Sequence, residues 1–162
     1  MRGNIGAEIA GLMDSLDISH TFVVPALPSY GRTTLNGNVY VKGILLEETE
    51  FANDPKNPIR ESYIPGIIAH QTDKRTALIC FNDLLAGKLQ FINKLEILIH
   101  EGVQIIIIDA EENEDLDLVA SILSQRKIPC PPKEGCLSKK DDHFPTQAIL
   151  QPLTQAIFIS IE

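Results

Sequence analysis

The chain has 162 residues, 44% of them hydrophobic and 22% charged, and a formal net charge of −8. That size and balance fit a single globular domain with a sizeable core and argue against wholesale disorder. The acidic excess and a pI near 5.0 argue against a nucleic-acid or anionic-membrane surface, so an anionic ligand would need a local positive pocket.

Asn4 suits a helix N-cap, and Ile5, Ile9, Leu12, Met13 and Leu16 follow at helical spacing. Glu8, Asp14 and Ser15 take the opposite face, and the helix is predicted to end near Asp17. Residues 20–26 (HTFVVPA) read as a short buried strand stopped by Pro25 and Pro28. From 25 to 62 the chain is too polar and turn-rich for core, yet too regular for a linker. Gly31, Gly37 and Gly43 fall six apart, each where a tight turn is expected, with the donor-rich Arg32-Thr33-Thr34 between them. Residues 39–41 and 44–46 read as a two-stranded hairpin turning at Lys42-Gly43. Glu48 and Glu50 alternate with Thr49 as on a solvated strand edge, and the rigid Asp54-Pro55 and Asn57-Pro58 steps follow.

Ser62 is expected to cap a short helix with Pro65 in its first turn and Ile67 and Ile68 inward. Residues 75–81 read as a second buried strand. A helix is predicted over about 87–101, with Phe91, Ile92, Leu95, Leu98 and Ile99 on one side and Gly102 ending it. Residues 103–109 (VQIIIID) are the strongest strand, and their unbroken isoleucine run predicts a central parallel strand buried on both faces. Asn113 should cap a last helix with Leu116, Val119, Ile122 and Leu123 inside. From about Ser124 the chain reads as irregular, apart from a final apolar run at 156–161 that is either a strand or a sticky tail.

This rhythm predicts an open, mainly parallel α/β sheet in three layers, with crossover helices and an inserted β-hairpin. Ligands of such sheets bind beyond the carboxyl ends of the strands, which is where the 26–37 loop and the segment after Asp109 depart. Asp109 itself stands in a common place for a ligand carboxylate, although a turn role is favoured. Cys80, in an apolar run, reads as a small buried hydrophobe. Cys130 and Cys136 match no common zinc spacing, and an odd total of three cysteines suits a reducing cytoplasm. His70 and His100 fall near helix ends and do not converge with any nucleophile. The chain contains no GxxxxGK[ST], GxGxxG or HExxH, and no apolar stretch long enough to span a membrane.

The 25–62 excursion carries a resemblance as well. GRTT, the glycine-flanked YVKG hairpin and ETEFANDPKNPIRESYIP resemble the N-terminal, substrate-binding domain of the four-carbon acid sugar kinases. Residues 2–8 (RGNIGAE) are similar to a second family stretch, S-T-L-R-G-N-x-G-x-E, with Met1 where the family has leucine. The likeness covers about residues 2–120 and fades beyond, so residues 1–125 are read as a partial sugar-acid-binding domain and 126–162 as a divergent tail.

The resemblance implies an ATP- and Mg²⁺-dependent kinase that phosphorylates a threonate- or erythronate-like acid. It implies substrate binding by Arg2, Gly3 and Asn4, where a guanidinium and free N–H groups at a helix start make a carboxylate seat. Arg2 as a frayed terminal residue and Asn4 as a plain cap remain the alternative. Arg32 and Thr33 are the second candidate pair, donating to a polyol or to a facing domain; otherwise Arg32 pairs with a hairpin glutamate. The family's Asp-Asp-x-Thr-Gly segment and glycine-rich ATP domain do not occur within these residues. No cofactor is therefore expected to bind this chain, which should be inactive alone. The rival expectation is a non-catalytic sugar-acid-binding or interaction module, completed by a separately encoded nucleotide-binding domain or a second copy. A receiver- or flavodoxin-like domain fits the rhythm but not the long excursion.

Overall fold

The computed structural model describes residues 3–55 and 58–124. Arg2, Asn57, Cys130, Cys136 and the 156–161 run lie outside the described residues. The centre is β6 (Ile105–Ile108), flanked in parallel by β1 (Thr21–Val23) and β5 (Thr76–Ile79) in the order β1-β6-β5. Phe22 and Ala77 both pair with Ile106, so the three strands share a common register. All four isoleucines of β6 are fully buried. Alternation sends Ile105 and Ile107 into one core with Met13, Ile64 and Ile68, from α1 (Ile5–Ser15) and α2 (Ile64–Ala69). Ile106 and Ile108 enter the other core with Phe91 and Leu95 of α4 (Lys88–His100) and Val119 and Ile122 of α5 (Asn113–Ser124). The sheet is thus the middle of three layers, as its unbroken apolar run predicts.

Helix ends follow local chemistry. Gly102 adopts φ +75°, and the N–H groups of Gly102 and Val103 donate to Ile99 and Leu98 in a Schellman motif that ends α4. Asp17, at φ +56°, ends α1 in the same way. Several details differ from expectation. Leu16 is 58% exposed because the helix has already ended there. Tyr63 rather than Ser62 occupies the cap of α2, and Ser62 is buried instead, its N–H donating to Glu47 Oε2 while its hydroxyl accepts from the Glu47 N–H. Glu48 and Glu50 lie in 3-10 turns (Leu46–Glu48 and Glu50–Asn53), not on a strand edge. The short helix α3 (Phe81–Leu85) was not expected, since five residues carry no periodic signal.

The inserted sheet has three strands rather than two: β2 (Arg32–Leu35), β3 (Asn38–Val41) and β4 (Ile44–Leu45), all antiparallel. Asn36-Gly37 and Lys42-Gly43 have left-handed φ at both central positions, the type I′ geometry that matches strand twist. The Asn-Gly pair is the strongest short hairpin signal in the chain, and its turn adds β2 to the two strands expected. At Gly37 a Cβ would stand 2.9 Å from Tyr63 Cε2 and 3.2 Å from Leu78 Cδ2, whereas at Gly43 it would meet nothing. Gly37→Ala is expected to cost about 2–3 kcal/mol and Gly43→Ala about 1 kcal/mol, the strain of one left-handed L-residue. Urea denaturation of the two variants measures the difference, which vanishes if backbone strain alone governs both sites.

Candidate functional site

The inserted sheet is fastened to the carboxyl ends of the parallel strands. Thr34 and Ala110 form a bridge in which the Thr34 N–H donates to the Ala110 carbonyl at 2.9 Å. The Thr34 hydroxyl accepts from the Ala110 N–H at 2.9 Å and donates to the Ala110 carbonyl at 3.3 Å. Asp109, at the exit of β6, has no exposed surface. Its Oδ1 accepts from the Gly37 N–H at 3.0 Å and its Oδ2 from the Phe81 N–H at 3.2 Å. Burial pushes the Asp109 carboxyl above the usual carboxylate range, opposed by N–H donors from Gly37, Phe81 and Asn36. Instead of a local turn, Asp109 makes long-range bonds: it ties a hairpin tip and the start of α3 to the sheet.

Beside it, Cys80 begins α3 rather than packing as a buried hydrophobe. Its N–H and thiol donate to Asp83 Oδ2 at 3.0 and 2.9 Å, closing a capping box. Lys94 of α4 pairs with the same carboxylate. Partial burial favours the neutral acid at Asp83, but the bonds from Cys80 and Lys94 outweigh it and hold the carboxyl below its ordinary value.

Gly3 and Asn4 stand exposed at the start of α1, Gly3 with φ +85°. Asn4 occupies the cap position but makes no side-chain cap hydrogen bond. That work falls to Gln71, just beyond α2: its Oε1 accepts from the Gly6 N–H at 2.7 Å, and its Nε2 donates to the Gly3 carbonyl at 3.1 Å. Arg32 and Thr33 lie half-buried on β2, paired with Val41 and Tyr40. Strand alternation puts Arg32 on the face of buried Thr34 and Thr33 on the other, so the tripeptide does not act as one donor cluster. The Gly3-Asn4 and Arg32-Thr33 pairs therefore belong to separate elements, one at a helix start and one on the inserted sheet.

His70 caps the C-terminus of α2, 3.8 Å from Glu61, and His100 ends α4; both keep the helix-end positions expected of them. Among the described residues, no group of three or more His, Cys, Asp or Glu side chains is arranged to hold a metal ion. No helix among them is long and apolar enough to cross a membrane.

A family model described as a sugar-binding N-terminal domain matches residues 1–132. This chain belongs to the N-terminal domain of the four-carbon acid sugar kinase family. It is similar to a D-threonate kinase of Salmonella typhimurium, with 41% identity over 119 residues that cover 74% of this chain and 28% of the relative. It is also similar to a D-erythronate kinase of Heliobacterium modesticaldum, with 35% identity over 121 residues and the same shares of 74% and 28%. The match thus spans less than a third of either kinase. A solved Salmonella typhimurium structure described as a putative tRNA synthase aligns with TM-score 0.71 and 34% identity, covering 75% of this chain and 30% of that one. A Bordetella bronchiseptica domain, solved with bound citrate as a domain-swapped dimer, aligns with TM-score 0.56 and 25% identity over 73% of this chain and 28% of that one. These alignments carry the α/β architecture to which the kinase domain and its inserted sheet belong. Sequence reasoning did not find Gln71 or Asp83: Gln71 sits in no motif, and the box that Asp83 closes begins with a cysteine where serine or threonine is usual.

Proposed function

We propose that this chain is the part of an ATP-dependent kinase that holds its substrate, a four-carbon sugar acid of the threonate or erythronate kind. Gly3 and Asn4 at the start of α1, with Arg2 beside them in sequence and Arg32 on β2, are the groups that take it. The observation that carries this reading is the fastening of the Arg32-bearing hairpin to the carboxyl edge of the parallel sheet by Thr34 and Asp109. That edge is where open α/β sheets bind ligands, and a cation there answers the need for local positive charge in a chain of net charge −8. The carboxylate of the acid is the natural partner of a guanidinium, and the neighbouring Bordetella domain was solved with a carboxylic acid, citrate.

The chain contains no nucleotide-binding motif, which favours a second reading alongside the first. In that reading it is a binding module whose phosphate donor site is supplied by another polypeptide or a further domain. Both readings share one test. Saturating D-erythronate or D-threonate should raise the melting temperature by several degrees, since a ligand at a hundredfold excess over Kd stabilises by about 2.7 kcal/mol. Arg32→Ala should weaken binding about 10–100-fold, the worth of a charge-assisted contact. The 162-residue chain alone should release no ADP from ATP above the blank with either acid. A melt indifferent to both acids rejects the substrate reading, and steady ADP release rejects the dependence on other parts.

A further inference from the structure

The start of α1 is capped from a distance. Gly6 is the second helical residue, and its N–H is one of those that a helix cannot satisfy internally. An asparagine in the cap position ordinarily takes such a group with its own side chain. Here Gln71, separated from Gly6 by 65 positions, accepts that N–H instead and also grips the Gly3 carbonyl. One side-chain amide therefore spans the whole Gly3–Gly6 turn. The approach requires glycine: a Cβ at Gly6 would stand 3.0 Å from both Gln71 Cβ and the Ile68 carbonyl. Asn4, relieved of capping, keeps its side chain exposed at the helix start.

We propose that Gln71 is a positioning residue: by capping α1 in place of Asn4, it fixes the Gly3-Asn4 backbone and leaves the Asn4 amide available to the sugar acid. This rests on the substrate reading of Gly3 and Asn4. When Gln71 is lost, Asn4 rotates back onto the helix as an ordinary cap. Stability is then largely preserved while the ligand loses a donor and an ordered backbone.

The test combines binding with a melting cycle on the full chain. Gln71→Met keeps side-chain volume but no amide, and should weaken D-erythronate or D-threonate about tenfold in calorimetry while moving the melting temperature by less than about 2 °C. Without ligand, Asn4→Ala should leave the melting temperature nearly unchanged in the wild type but lower it by about 2–4 °C in the Gln71→Met background, where Asn4 has become the cap. Unchanged affinity in Gln71→Met, beside a wild type that binds, overturns the positioning role. Equal Asn4→Ala shifts in both backgrounds overturn the exchange of caps. A wild type that binds neither acid overturns the substrate reading and the positioning role with it, while the ligand-free cycle still decides who caps the helix.

Discussion

Asp109→Ala is expected to destabilise the protein by about 2–4 kcal/mol, because it strips the acceptor from a buried backbone N–H at Gly37 and a part-buried one at Phe81. The Gly37 N–H at the β2–β3 turn and the Phe81 N–H at the start of α3 both point at this carboxylate, and Asn36 contributes a third donor. A buried donor left unpaired, as at Gly37, costs about 1–3 kcal/mol, and the part-buried Phe81 N–H costs less. Asp109→Asn retains one acceptor oxygen and should cost less, about 1–2 kcal/mol at neutral pH. The two variants also carry a pH signature. Burial raises the Asp109 carboxyl, the Gly37, Phe81 and Asn36 donors pull it down, and Glu111 adds to the rise, with a net upward shift. A carboxyl raised on folding contributes stability below its unfolded pKa of about 3.9 and loses that contribution as pH climbs through the folded value. The wild type's advantage over Asp109→Asn should therefore be greatest below about pH 3.9 and shrink as pH rises through the folded value. Urea denaturation across a pH series reads this directly, and an advantage that grows with pH would mean that the buried group is held as the anion. Because the same carboxylate secures the hairpin that bears Arg32, sugar-acid affinity should fall in Asp109→Asn even where the fold persists.

Phe91→Ala should cost a comparable 3–5 kcal/mol by a different route, the cavity left by a large ring in a close-packed layer. Phe91 has no exposed surface and packs in the cluster that includes Leu95, Ile106, Ile108, Val119 and Ile122, which seals one face of β6. Leu89, two residues earlier on the same helix, is 77% exposed, so Leu89→Ala should change stability by no more than about 0.5 kcal/mol. Chemical denaturation of the pair separates burial from helix propensity, since both substitutions introduce the same good helix former. Similar losses for both variants would show that α4 is not packed against the sheet by this face. Phe91 lies on the layer opposite α1 and α2, so on the proposed substrate reading the folded fraction of Phe91→Ala should bind a sugar acid as the wild type does, in contrast to Asp109→Asn.

Local patterns carried much of the fold into the sequence. Four consecutive isoleucines mark a strand covered on both faces wherever they occur, and β6 is central for that reason. Gly102 and Lys42-Gly43 announce a helix end and a hairpin turn because their backbone geometry favours residues that accept positive φ. Asn36-Gly37 carries an equally strong turn signal and joins β2 to β3. The likeness of residues 2–8 and 25–65 to the kinase domain was legible too, since long runs of matching residue types persist whatever the packing.

The arrangement of the candidate site was decided elsewhere. Nothing in the sequence assigns the cap of α1 to Gln71, 65 positions away from Gly6, or sends Asp109 to Gly37 across 72 positions and to Phe81 across 28. Each of these bonds runs from a side chain to a backbone group, and nearly every residue offers the same N–H and C=O whatever its identity. Such partners leave no compositional trace, so only the packing of α1 on α2 and of the inserted sheet on the carboxyl edge selects them. Strand alternation likewise separated Arg32 from Thr33, which the sequence had presented as neighbours in one loop. Residue types and spacing determined the layers and the family; long-range contacts to the backbone determined which side chains hold the inserted sheet and the start of α1 in place.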